Sequence, residues 1–357
     1  MKTLLILGDY KDSSVNPNIK RLQRYSREIG LPTRTMTYEQ LLEGKKIGVD
    51  SEDMAVMFFF PFTFWYQNCE IPSDTGIYGT SKRVYEEFEG FWQDVREATE
   101  TGFPDRNISY VINPDFAAID RDKIATHDLL EEKGVRTTTK LPRDLTTVMD
   151  IAGERGVFVK ARYGACGKGI TYLSPQGWFT NYKIGEGNTL ENHVADLETT
   201  GRSGDPLEAE WNFVEITGNR DILKRILDLE MIVEEEITPP QLKEGVKFDA
   251  RAYSIFGKTP HIFVRENGVK SIITNFSQGG TINHRYKDVL PEDAVSLIER
   301  ETSRAANALE SQFLGVDVMF EKDLQSPRVL EVQTFTGYPK IRSFNLSRYL
   351  ARQIKAA

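Results

Sequence analysis

Three groups of residues in this 357-residue sequence have the types and spacing to handle a phosphate chain. The first is the glycine-rich stretch VFVKARYGACGKGITYL, which places Gly164, Gly167, Lys168 and Gly169 between two runs that read as β-strands, with Lys160 inside the first run. Glycines at a hairpin tip let backbone N–H groups approach phosphate oxygens, and Lys168 adds charge. A dinucleotide fingerprint or a P-loop needs a helix straight after its glycines, at another spacing, so both are rejected. Alone, such a loop is more often an ordinary flexible hairpin, and a strand lysine such as Lys160 ordinarily faces solvent. The rest of the chain changes that reading.

The second group is acidic. The run VDVMFE carries Asp317 among apolar residues, where an unpaired buried carboxylate would be costly. The run RVLEVQTF alternates, which puts Glu331 and Gln333 on one strand face and Leu330, Val332 and Thr334 on the other. With Lys322 to Ser326 as the loop, the two runs form a hairpin that sets Asp317 opposite Glu331, and like charges across strands repel. A divalent cation would remove that conflict. Two carboxylates and an amide oxygen, without histidine or cysteine, suit hard Mg²⁺ rather than zinc. The competing arrangement has one carboxylate facing water or paired with a nearby arginine.

The third group is cationic and polar. FDARAY puts Asp249 and Arg251 on one face, PHIFVREN carries Arg265, and TNFSQGG adds Asn275, Ser277 and two glycines. Singly these are ordinary strand or turn residues, but together they supply the charge neutralisation and donors that phosphoryl transfer requires. Other chemistries lack support. His127, His193, His261 and His284 are scattered without HExxH spacing and read as ordinary polar residues, no GxSxG elbow occurs, and Cys166 reads as a small space-filling residue.

The elements that must position these groups begin with a β/α alternation. Strands are expected at Thr3 to Leu7, Thr33 to Thr37, Ala55 to Phe60 and Ile108 to Ile112, with helices near Asn18 to Ile29, Tyr38 to Glu43 and Val84 to Thr101. That pattern implies a parallel sheet covered by helices. A helix from about Arg121 to Lys133, closed by Gly134, then leads into paired β-rich segments. Residues 174 to 230 are the least readable, with a helix near Arg220 to Leu229. Strands resume as MIVEEEI, DARAYSIF, PHIFVREN and SIITNF, followed by a helix from about Pro291 to Gln312, the acidic hairpin, and a last helix from about Asn345. The fold class is therefore α/β at the N-terminus and α+β, with a mostly antiparallel sheet, at the C-terminus.

Composition narrows the function further. With 45 basic against 53 acidic residues and a net charge of -8, the chain is not built to coat nucleic acid or an anionic membrane. The stretch Met54 to Tyr66 is too short to span a bilayer, is broken by Pro61, and reads as a buried strand and the loop leaving it. MKTLLILGDY lacks the longer apolar region and cleavage site of a signal peptide, and Cys69 and Cys166 are too far apart for a zinc site, so a reducing cytoplasm is the expected compartment.

In this order the features resemble the ATP-grasp superfamily, specifically the branch with glutathione synthetase and the ribosomal-protein glutamate ligases. The resemblance covers about residues 110 to 340, through RDKIATHDLLEEKGV, VFVKARYGACGKGI, MIVEEEI, DAR, FVRENG, TNFSQGG and GVDVMFE with VLEVQTFTGYP. It implies a three-lobed fold: an α/β lobe over 1–112, a central lid lobe over 113–233 and a C-terminal ATP-grasp lobe over 234–357. By position, Lys123 and Lys160 match the lysines that hold the nucleotide phosphates, and Gly164 to Gly169, with Lys168, the loop that folds over them. Glu234, Glu235, Glu236 and Ile237 match the hinge beside the adenine. Arg251, Arg265 and Asn275 match groups near the γ-phosphate and acyl phosphate, and Asp317, Glu331 and Gln333 match the magnesium ligands. Two positions depart: the family usually has asparagine at Gln333 and proline at Ala161.

The resemblance implies ATP and Mg²⁺ as cofactors, with two ions expected and Mn²⁺ an alternative. It further implies a ligase: a small-molecule or peptide carboxylate becomes an acyl phosphate, an amine attacks it, and ADP and phosphate leave. A homodimer is the commonest assembly of such enzymes, and neither nucleic acid nor membrane is an expected partner. Two readings compete. An ATP-grasp kinase would favour basic substrate segments, whereas Gly8 to Asp12 and Pro61 to Thr80 are aromatic and acidic. A regulatory nucleotide-binding protein without turnover would suit Gln333, but the retained lysines, carboxylates and arginines argue against it. Phe62, Phe64, Trp65 and Tyr66 could line a substrate pocket, although an aromatic cluster is more often core. The sequence identifies neither the carboxylate nor the nucleophile.

Overall fold

A computed structural model describes residues 2–9, 16–68, 81–164, 167, 169–186, 190–191, 212–238, 240–275, 279–339 and 341–357. Lys168, Ser277, His193, both cysteines and most of the two candidate substrate segments lie outside the described residues.

The chain opens with the expected alternation: β1 (Lys2–Leu7), α1 (Asn16–Glu28), β2 (Thr33–Met36), α2 (Tyr38–Leu42), β3 (Asp53–Phe58), α3 (Phe62–Asn68), α4 (Lys82–Gly102) and β4 (Asn107–Tyr110). The strands are parallel in the order β2-β1-β3-β4. Their continuous apolar runs, such as Leu4 to Leu7, are buried, as a sheet covered on both faces requires. A capping box starts α2: the Thr37 hydroxyl accepts the Gln40 N–H at 3.2 Å while the Gln40 side chain accepts the Thr37 N–H.

The segment after β3 is the helix α3 rather than the expected loop. Its aromatic residues have a face to bury: Phe64 lies 5.4 Å from Phe91, and Trp65 lies 5.0 Å from Phe88, both on α4. For Phe62, Phe64 and Trp65 the cluster is therefore core; the Tyr66 side chain is outside the described residues.

Next come α5 (Lys123–Glu132), α6 (Leu145–Ala152), β5 (Val157–Ala161), β6 (Ile170–Ser174), β7 (Gly177–Thr180), the short pair β8 (Lys183–Ile184) and β9 (Leu190–Glu191), β10 (Val214–Glu215), α7 (Arg220–Asp228) and β11 (Met231–Glu235). They form an antiparallel sheet in the order β10-β7-β6-β5-β11. Ile222, Leu223, Ile226 and Leu227 of α7 pack with Val148 and Ala152 of α6, a helix the sequence pattern did not reveal, against this sheet.

The third unit is antiparallel throughout: β12 (Gln241–Lys243), β13 (Val246–Ile255), β14 (Lys258–Gly268), β15 (Thr281–Asn283), α8 (Glu292–Ala308), β16 (Phe313–Phe320) and β17 (Pro327–Gln333), in the order β15-β14-β13-β16-β17 with β12 beside β13. Alternation does the sorting. Ala250, Ala252, Val316 and Val318 face α8 in one core, leaving Asp249, Arg251 and Asp317 on the opposite face. The expected strand SIITNF is not one over its described residues. The Ile272 and Ile273 carbonyls accept from the side chains of Lys247 and Asn267, at 2.9 and 3.0 Å, so no ladder forms.

Two further links join the units. α9 (Leu346–Ala356) returns to α1, where Asn345 donates to the Tyr25 hydroxyl at 2.9 Å. The strap 136–141 bonds to both antiparallel sheets: the Val329 N–H of β17 donates to the Arg136 carbonyl at 2.7 Å, and the Glu235 N–H of β11 to the Thr139 carbonyl at 3.0 Å. Among the described residues no helix is long and apolar enough to cross a membrane.

Candidate active site

One cavity collects residues from the start of α5, the β5–β6 hairpin tip, the end of β11, the strands β13, β14, β16 and β17, and the segment 272–275. Of the expected nucleotide residues, Lys123, Lys160, Gly164, Gly167 and Glu234 to Ile237 line it; so do Arg265, Asn275, Asp317 and Glu331. Arg251, Gly169 and Gln333 do not line it.

The wall on the third sheet is a lattice of charge-assisted bonds. Arg251 Nε and Nη2 donate to the two Asp317 oxygens at 2.6 and 2.7 Å, and Arg265 Nη2 donates to Asp317 Oδ2 at 2.8 Å. Arg265 also grips Asp249, its direct cross-strand neighbour, through two bonds of 2.6 and 2.7 Å, and the Thr274 hydroxyl donates to Asp249 as well. Burial would push the Asp317 carboxyl up, but Arg251 and Arg265 outweigh it and hold it below the usual carboxylate range. Asp317 does stand opposite Glu331. The arginines, however, already neutralise it.

That register is reached by an irregularity. The hairpin pairs Phe320 with Pro327 and Val318 with Val329, one step short of the expected register, and a bulge restores the Asp317–Glu331 pair. Leu330, expected on the face away from Glu331, is therefore half-buried and lines the cavity beside it. The Glu331 side chain makes no hydrogen bond or ion pair among the described residues.

The opposite wall is sparser. Lys160, on β5, forms an ion pair with Glu234 of the neighbouring strand β11, and the Thr138 hydroxyl donates to Glu234 at 2.5 Å. Burial would raise the Glu234 carboxyl; Lys160 outweighs it and holds it down. The Lys123 ammonium donates to the Gly164 carbonyl, and burial lowers its pKa against the opposing pull of Glu331. Gly167 and Gly169 both have positive φ, 72° and 68°. A Cβ on Gly169 would lie 2.8 Å from Ala161 Cβ and from Tyr182 Oη, so this glycine closes the turn rather than facing the cavity.

Several lining residues escaped the sequence reading. Thr126 and His127 share a face of α5 with Lys123, a spacing that could have been used. His127 is buried, with Nε2 2.6 Å from the Thr138 carbonyl and 2.9 Å from the Thr137 hydroxyl, and so pins the strap. Its neighbours Asp128 and Glu131 have metal-compatible spacing, but the Lys140 ammonium bonds Asp128 and lies 4.0 Å from Glu131. Lys247 and Asp120 gave no sequence signal. Burial pushes the Asp120 carboxyl up.

No protein-family model matches the chain, and no curated protein sequence matches it. Solved structures do. The ATP-grasp ligase PsnB, in complex with a phosphomimetic variant of its minimal precursor, Mg and ADP, matches with a TM-score of 0.57 at 13% identity, over 100% of this chain and 98% of that one. The macrocyclase MdnC, bound to precursor peptide MdnA from Microcystis aeruginosa MRC, matches at 0.55 and 13%, over 99% and 100%. The D-cycloserine synthetase DcsG matches at 0.51 and 14%, over 99% of each chain. The chain has the fold of ATP-grasp ligases.

Proposed function

We propose that this protein is an ATP-dependent carboxylate–amine ligase that forms an amide bond through an acyl phosphate and releases ADP and phosphate. The observation that carries the reading is the single cavity that brings Lys123, Lys160, Arg265 and Glu331 together between two antiparallel sheets. The lobes are 1–112, 113–233 and 234–357, with the nucleotide between the second and third. Phe158, Ile170, Met319 and Leu330 give the cavity an apolar part suited to a purine ring, with the Glu235 to Ile237 backbone beside it.

Lys123 and Lys160 hold the phosphates, and Arg265 with Asn275 faces the γ-phosphate, where the substrate carboxylate attacks in line. The arginine lattice stabilises charge developing on the transferred phosphoryl group. The turn at Gly164 to Gly169 covers the site and keeps water from the acyl phosphate until the amine arrives. Glu331 is the available carboxylate for Mg²⁺, with Asp317 and Gln333 its expected companions. Bound with the nucleotide, that ion neutralises the triphosphate. Glu331 fits as a hard oxygen donor with no other partner, whereas both Asp317 oxygens already accept from arginine. The precursor-bound neighbours PsnB and MdnC support a peptide carboxylate or amine as substrate.

The test is ADP and phosphate release from Mg-ATP with a pool of amino acids, small carboxylic acids and short peptides, alongside Glu331→Ala. Turnover that needs a carboxylate and an amine, frees phosphate and vanishes in the variant supports the ligase. Phosphate retained on a product would replace it with a kinase.

A further inference from the structure

We propose that the paired helices α1 and α9 form a docking face for an acidic segment of a polypeptide partner. The proposal rests on the ligase reading in taking that partner from the peptide substrates, and adds where on the protein such a chain is held.

Charge placement sets the face apart. Arg21, Arg24 and Arg27 of α1 and Arg348, Arg352 and Lys355 of α9 are all exposed, and with Lys20 they make seven basic residues on two helices whose one carboxylate is Glu28. In a chain with a net charge of -8 this is a local reversal of sign. The acid is collected elsewhere. Right-handed crossovers step from β1 to β2 in one direction and from β3 to β4 in the other, which puts α4 on the opposite face of the first sheet, and α4 exposes Glu86, Asp94, Glu97 and Glu100.

The cations are also held in an array. Ile19 and Leu22 of α1 share a core with Leu350 and Ile354 of α9, and the Lys355 ammonium donates to the Ile29 carbonyl across the seam. The Arg24 and Arg348 guanidinium groups both lie over the Tyr25 ring, 4.6 and 5.4 Å from its centroid, so one ring seats an arginine from each helix. Arg348, Arg352 and Lys355 follow at i, i+4 and i+7, a ladder about 10 Å long at the helical rise. Among the described residues the one carboxylate paired with these six cations is Glu28, 3.5 Å from Arg24, and that pair is exposed and therefore weak.

At the N-terminal end of α9 the face runs into a cleft lined by Arg21, Tyr338, Ile341, Arg342 and Phe344. Two guanidinium forks beside aromatic and aliphatic side chains suit an acidic residue next to an apolar one. The Tyr253 hydroxyl donates to the Gly337 carbonyl at 2.8 Å, which ties the loop forming this cleft to β13, the strand that carries Arg251. None of the six cations lines the nucleotide cavity, so the face holds a partner and takes no part in phosphoryl transfer. Other occupants fit less well. A nucleic acid extends past the face into the field of an acidic protein. A membrane surface is met by inserted apolar side chains, and among the described residues the exposed large ones, such as Leu42 and Val269, lie off both helices. A second copy in two-fold contact sets cation against cation.

The experiment follows fluorescence anisotropy of a labelled glutamate-rich peptide ending in phenylalanine, titrated with the full chain and with the double variant Arg21→Glu, Arg352→Glu. Both positions are exposed, and the unfolding temperature confirms that the variant is folded. Expected are saturable binding that weakens steadily as salt rises, a loss of about tenfold or more in the variant, and unchanged binding of the non-hydrolysable ATP analogue AMPPNP. No binding by the native chain, or equal affinity in the variant, overturns the proposal and leaves the nucleotide site standing. Tighter binding to phosphatidylserine vesicles or to a single-stranded RNA oligonucleotide, lost in the variant, overturns it in favour of that partner; self-association of the native chain that the variant abolishes overturns it in favour of a second copy. Peptide binding without AMPPNP binding keeps the docking face and removes the ligase reading.

Discussion

The two walls of the cleft are built on opposite physical plans. On the third sheet Asp249, Arg251, Arg265 and Asp317 lock one another across adjacent strands, and Arg265 and Asp317 are only 8% and 3% exposed. On the second sheet the equivalent surface offers two ion pairs, Lys160 with Glu234 and Arg155 with Glu235, and a turn of glycines. A closed lattice fixes its donors before substrate arrives, so nothing reorganises when charge develops. A glycine turn can instead move over a ligand. The strap 136–141, bonded to both sheets, lets the walls differ in stiffness while staying in register.

The sharpest way to break this contrast is to unpair the lattice. Asp317→Leu leaves Arg251 and Arg265 buried without their shared acceptor, so a stability loss of about 3–5 kcal/mol is expected in chemical denaturation. A loss under about 1 kcal/mol would mean that the lattice is solvated and the contrast unfounded. Gly169→Ala strikes the other wall, where a methyl group meets Ala161 and Tyr182 at a φ of 68°. The expected loss is smaller, about 1–3 kcal/mol, accompanied by weaker AMPPNP binding.

How much of this was legible in the sequence follows the same division. Strand periodicity put Asp249 and Arg251 on one face, because side-chain alternation needs only the strand to exist, whereas the Asp317–Glu331 pair came from an assumed hairpin register that the structure meets only through a bulge. The glycine turn was readable from composition. The partners were not: nothing local says that Asp317 is neutralised by Arg251 and Arg265 rather than by a metal, since that depends on which strands become neighbours. The bulge that swings Leu330 into the cavity is a tertiary adjustment of one residue. Asp120 lies in a short irregular turn, where no periodicity operates. Segment SIITNF looked like a strand because its apolar pattern fits one, but side-chain donors had taken its carbonyls.

Acid offers a finer probe of the stiff sheet. His261 is buried, with Nε2 3.2 Å from His284 Nδ1 and its ring 5.0 Å from Phe344. Burial and His284 push its pKa down to about 4 from an ordinary 6.5. Between those values the unfolded chain binds a proton that the folded one refuses, so stability should fall as pH drops from about 6.5 to about 4. His261→Phe should flatten that slope in denaturation at stepped pH. The Asp317 carboxylate, held down by arginines, should add its own loss only below pH 4, as it protonates. A slope unchanged in His261→Phe would place the acid sensitivity elsewhere.

The smallest effect tests whether the walls are independent. Tyr85 of α4 stacks on Tyr163, at the mouth of the glycine turn, with ring centroids 5.3 Å apart and an interplanar angle of 28°. Arg162 lies over the same Tyr163 ring at 4.9 Å. Such a stack is worth about 0.5–1.5 kcal/mol, which is roughly a two- to tenfold change in a local opening equilibrium. Tyr85→Leu should therefore speed hydrogen exchange of the turn amides over 163–169 by that factor, with β13 and β16 unchanged and the denaturation midpoint barely moved. If β13 and β16 exchanged faster by the same factor, the two sheets would open as one cooperative unit, and the stiff wall and the yielding one would not be separable.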